Sequence, residues 1–96
     1  MKKEDIIVSL QRFKAKKGRQ YRIKRIGLFG SAARDRKSEE SDIDVVVELE
    51  KQDLFALIGI KQDLEEELQG QVDVVSYRDK MNGFLRNRID KEAVYV

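Results

Sequence analysis

Two groups of residues, ten positions apart, have the types needed for phosphate chemistry. An apolar run, Ile26-Gly27-Leu28-Phe29, ends in Gly30-Ser31, and Asp42-Ile43-Asp44 then opens a second apolar run. A small-residue turn after a strand suits a phosphate, because backbone N–H groups at a helix start point outward there. Gly30 would let the backbone approach a phosphate closely, and Ser31 offers both its hydroxyl and its N–H. Two carboxylates at i and i+2 leave a strand on the same face, an arrangement suited to a hard divalent cation such as Mg²⁺. Together they would handle a nucleoside triphosphate.

Each feature also has a plainer reading. Gly-Ser is an ordinary helix N-cap, and an Asp before a strand often only shapes a turn. Four of the five residues after Asp44 are apolar, however, so its charge would be costly there without compensation. Asp73, in Val72-Asp73-Val74, could be an edge-strand solubility charge. If its strand pairs in parallel with the one carrying Asp44, it joins the pair instead. Three clustered carboxylates repel one another and call for bound cations or protons, and two Mg²⁺ ions would meet that need. Arg34 could bond a phosphate oxygen or pair with Asp35, Glu39 or Glu40.

Periodicity supplies the elements that would position these groups. Ile6, Leu10 and Phe13 predict a helix over 4–17 ending at Gly18, and the run to Phe29 predicts a strand. Ser31 would cap a short helix carrying Arg34, followed by a polar loop over 35–41. Ile43 to Leu49 reads as a buried strand. Asp53 would cap a helix with Leu54, Leu57, Ile58, Leu64 and Leu68 on one stripe, closed by Gly70, with Gly59 a weak point inside it. Val72 to Ser76 is a further strand. Met81, Phe84, Leu85 and Ile89 predict a last helix before the extended Val94-Tyr95-Val96. The class is α/β, a small mixed sheet packed with helices, in which the helix over 54–69 can join the second and third strands in parallel.

Composition narrows the chemistry. Ninety-six residues make a single small domain over 1–96. Cys and His are both absent, so disulfides, thiolate metal sites and a histidine base are excluded, and Asp and Glu must do the acid–base and metal work. The start shows no signal-peptide core and no 18-residue apolar run exists, so a cytoplasmic, non-membrane protein is expected. Net charge is +2, but residues 1–37 hold 13 Lys and Arg against 3 Asp and Glu, a net of +10. That asymmetry suits an anionic partner, or is merely a solvated helix.

With Gly30-Ser31, Asp42-x-Asp44 and Asp73 at these spacings, the chain resembles the DNA polymerase β-type nucleotidyltransferases, and specifically their minimal (MNT) branch. Arg34 matches the arginine common after the Gly-Ser, while Asp35 stands where many relatives carry Gly. The resemblance spans about residues 20–96. It implies that Asp42 and Asp44 coordinate two Mg²⁺ ions, with Asp73 completing the metal and catalytic carboxylates and helping to deprotonate an acceptor hydroxyl. Gly30, Ser31 and Arg34 would bind the nucleotide. It also implies that the first two sheet strands are antiparallel. The implied activity is transfer of AMP from ATP to a protein hydroxyl, and the implied partner is a helical HEPN ribonuclease toxin, neutralised in a hetero-oligomer. So short a chain leaves no acceptor domain, so the acceptor surface is expected from another chain. Two alternatives stay open: an antitoxin acting by binding only, which Asp35 favours, and a nucleic-acid-binding module using the basic N-terminal segment.

Overall fold

Runs of Val, Ile and Leu too short for helices build the sheet, and amphipathic segments between them cover it. The computed structural model describes residues 2–33 and 42–96. Its strands are β1 (Ile23–Phe29), β2 (Ile43–Leu49), β3 (Val72–Ser76) and β4 (Val94–Tyr95), in the spatial order β3-β2-β1-β4. β1 is antiparallel to both β2 and β4, whereas β2 and β3 are parallel. The helices are α1 (Lys3–Tyr21), α2 (Leu54–Leu68) and α3 (Gly83–Glu92). The α/β class and mixed sheet are those expected, and the antiparallel first pair is as the resemblance implied. Residues 31–33 form a turn; Arg34, Asp35 and the helix expected to carry Arg34 lie outside the described residues. No helix among the described residues is long and apolar enough to cross a membrane.

Side-chain alternation gives the sheet two differently used faces. Ile26, Leu28, Ile43, Val45, Val47 and Val72 pack against Ile6, Leu10 and Phe13 of α1 and Ile60, Leu64 and Leu68 of α2. On the opposite face Phe29 and Val46 meet Ile89 of α3, with Val75, Leu85 and Tyr95 around them. α2 is the crossover that makes β2 and β3 parallel, and the Asp53 carboxylate caps it by accepting from the Phe55 and Ala56 N–H groups.

Three expectations need correction. α1 continues through Gly18 to Tyr21, and the left-handed residue that ends it is Arg22. Gly18 is permissive there without being required to turn the chain. Tyr21 stays helical because its ring stacks on Phe13 at 6.2 Å, and its hydroxyl donates to Asp63 at 2.6 Å. The buried stripe of α2 is Ala56, Ile60, Leu64 and Leu68, leaving Leu54 at 69% exposure, and the left-handed cap is Gln69 rather than Gly70. α3 begins after Asn82, whose side chain accepts from Leu85 N–H, so Met81 precedes the helix and Phe84 points into solvent.

Gly59 is explained by Tyr21. A Cβ at Gly59 would lie 2.8 Å from the Tyr21 hydroxyl and 3.0 Å from its ring, so α2 is notched where the Tyr21 ring crosses it. Asp63 also receives Lys17 Nζ at 2.9 Å. The Tyr21 and Lys17 hydrogen bonds hold the Asp63 carboxyl below its ordinary range, while burial and the Asp63 hydrogen bond push the Tyr21 hydroxyl up to about 12. Gly59→Ala, which gains up to ~1 kcal/mol in an exposed helix, should instead lower the melting temperature by displacing Tyr21. Tyr21→Phe should cost about 1 kcal/mol. The Asp63 contribution is present above the ordinary carboxylate range and is lost as pH falls through the lowered value, so the Tyr21→Phe deficit should shrink in acid melts.

Candidate active site

Strand register brings the acidic residues together. In the parallel β2–β3 ladder Asp44 stands directly opposite Asp73, one residue beyond the Ile43–Val72 pair. Ile43 and Val72 are 3% and 1% exposed. With those two anchored in the α1–α2 core, Asp44 and Asp73 must both leave by the α3 face. Asp42 shares their parity just before β2 and is exposed. Asp44 is half-buried and Asp73 exposed. Among the described residues no three acidic side chains are gathered into a ready-made metal cage. Register therefore unites Asp44 with Asp73, and Asp42 acts on Asp44 from the strand entrance.

Burial is the main force raising the Asp44 carboxyl above its ordinary range. Repulsion from Asp73 adds to it, and Asp42 and Glu92 add less, while the Arg88 guanidinium opposes the shift. Sequence reasoning did not single out Arg88 or Glu92. Their spacing of four in α3 marks them as neighbours, but only the return of α3 toward the end of β1 shows what they face.

Gly30 is tied to the same carboxylate. Phe29 pairs with Asp44 across the antiparallel ladder, and Gly30 turns away at φ +74°. A Cβ there would overlap Asp44 Oδ2 and stand 3.1 Å from its Cγ. The glycine thus satisfies a backbone demand and leaves room for the Asp44 carboxylate. Ser31 lies in the turn that follows, partly buried, and Ala32 and Ala33 tuck into the core. The donor set is all carboxylate, which fits a hard divalent cation, and the side-chain-free notch at Gly30 leaves Asp44 space for such contacts.

A glycine turn beside paired carboxylates on a mixed sheet has a counterpart among known proteins. The family model for polymerase β, nucleotidyltransferase, matches residues 10–96. The chain belongs to that family. It is similar to a candidate protein adenylyltransferase of Methanocaldococcus jannaschii, with 44% identity over 75 residues, covering 77% of this chain and 80% of that one. Its fold is similar to that of a minimal nucleotidyltransferase at 29% identity, TM-score 0.80, covering 98% of this chain and 95% of the other. A toxin–antitoxin crystal structure with AMP-PNP gives TM-score 0.73 at 25% identity, covering 88% of this chain and 70% of that one.

The Gly30–Asp44 contact predicts non-additive stability effects. Gly30→Ala should destabilise by about 1–3 kcal/mol, from left-handed backbone strain and overlap with the carboxylate. The penalty should fall in an Asp44→Ala background, read from denaturant melts of the four proteins in a double-mutant cycle. The raised Asp44 carboxyl gives a pH prediction of opposite sign to that for Asp63. Stability linked to Asp44 is complete below the ordinary carboxylate range and is lost as pH rises through its raised value. Asp44→Asn should therefore raise the melting temperature at neutral pH, with the advantage vanishing in acid.

Proposed function

We propose that this chain is a metal-dependent protein adenylyltransferase that transfers AMP from ATP to a hydroxyl of a partner protein, acting as the antitoxin of a helical HEPN toxin. The observation that carries the reading is the Asp44–Asp73 register pair beside the Gly30 turn. The named activity of the M. jannaschii relative and the toxin–antitoxin similarity with AMP-PNP support it. Asp42, Asp44 and Asp73 would hold Mg²⁺, which when bound neutralises phosphate charge and the charge developing on the leaving group. Gly30 and Ser31 would orient the β- and γ-phosphates through backbone N–H groups. Asp73, exposed on the outer strand, would accept the proton of the acceptor hydroxyl. That oxygen bonds to the α-phosphorus, the bond to the β-phosphate bridging oxygen breaks, and pyrophosphate departs. Arg34 keeps its sequence-based role as a phosphate ligand.

The surface supports a hetero-oligomer. Leu54, Phe55 and Phe84 are 69%, 83% and 88% exposed. They lie at the starts of α2 and α3, which flank a cleft of about 600 Å³ lined by Leu57, Val74, Val75, Met81 and Leu85. Exposed apolar side chains around a cleft mark an interaction surface. Incubation with ATP labelled at the α-phosphate, Mg²⁺ and a HEPN toxin should move label onto the toxin, whereas γ-label should appear in pyrophosphate. Asp44→Ala should keep the complex and lose the transfer. Neutralisation of the toxin by Asp44→Ala would favour a binding-only antitoxin. Efficient transfer to sugars or RNA ends without a partner would leave only the nucleotidyltransferase class.

A further inference from the structure

α3 ends beside the carboxylates. Only Ala93 separates it from β4, which pairs with β1 so that Val94 stands opposite Leu28. Ile89 is fully buried with Phe29 and Val46, which fixes the rotation of the helix about its axis. Arg88 is thereby held over the end of β1, its guanidinium carbon 5.8 Å from the centre of the Phe29 ring. The next residue is Gly30, the start of the turn read above as the holder of the β- and γ-phosphates.

The contacts of Arg88 among the described residues leave its N–H fork available. Nη2 lies 3.8 Å from Glu92 Oε2, an ion-pair distance beyond hydrogen-bond reach, and the side chain is 51% exposed. A planar guanidinium matches phosphate oxygens in two-point geometry, and a cation–π contact with an aromatic ring helps to place it without using its donors. A polyphosphate arriving here meets Asp44, Asp73 and Glu92, so a fixed cation offsets repulsion that would otherwise oppose binding. We propose that Arg88 is a substrate-binding residue that grips the phosphate tail beyond the α-phosphate, an inference that rests on the nucleotidyl-transfer reading.

Titration calorimetry with Mg²⁺ tests it, using AMP-PNP and AMP against the unaltered chain, Arg88→Ala, Arg88→Gln and Arg88→Lys. The Ala and Gln variants should weaken AMP-PNP binding about 10- to 100-fold, as expected for loss of a hydrogen bond to a charged group, and leave AMP binding unchanged. Lys keeps the charge without the fork and should fall between. Arg88→Gln retains the length of the stem, so the comparison survives if the Ala variant folds poorly. A merely structural role, Arg88 acting as a counter-ion that shapes Asp44, would weaken both ligands together. Equal losses for AMP and AMP-PNP, or unchanged AMP-PNP binding, overturn the proposal alone. Failure of the unaltered chain to bind any triphosphate overturns it together with the function on which it rests.

Discussion

Two like charges are set side by side by a hydrogen-bond ladder, and most of the structure can be understood as what that placement requires. Parallel pairing of β2 with β3 puts Asp44 opposite Asp73. That pairing needs a crossover, which α2 provides, and an apolar floor, which Ile43 and Val72 provide. The carboxylates cannot drift apart without breaking backbone hydrogen bonds, so the fold holds a local repulsion in place by strand register. Gly30 is the steric counterpart of this arrangement, because the adjoining strand must turn past Asp44 without a side chain.

Stability and chemistry are divided between the two faces of the sheet. The α1–α2 side contains the larger apolar cluster and the Tyr21–Asp63–Lys17 clamp, well away from the carboxylates. The α3 side is more polar. Toward the other end of β1, Arg25 stands over the rings of Tyr77 and Tyr95 at 5.2 and 4.3 Å and bonds Glu48 at 2.8 Å. Ile89 then anchors the later turns. A helix held in this way can carry charged residues near the site in fixed positions.

The strands were legible because a pleated, largely buried surface selects β-branched residues, and β2 and β3 have the bounds that their Val-rich runs predict. Asp53 as a cap was legible for an equally local reason. Helix ends and helix faces were not. Gly18 reads as a stop, but Tyr21 extends α1 through contacts with Phe13 and with Asp63, forty-two residues away. Phe84 looks like a core residue by spacing, yet α3 rotates so that Ile89 is buried and Phe84 is not. In the site, Gly30, Asp42, Asp44 and Asp73 announced themselves by motif. Arg88 did not, because its significance depends on where β4 draws the end of α3.

β3 is an edge strand, so Asp73 sits on a rim rather than in a pit. Water reaches such a carboxylate as readily as any hydroxyl, and nothing in a sheet margin discriminates between them. On the proposed reading, choosing a protein hydroxyl over solvent would depend on whatever covers the rim, which would supply both the reactant and the dryness the reaction needs. On that reading the chain would be half of a catalytic chamber, and its fidelity would belong to the assembled pair.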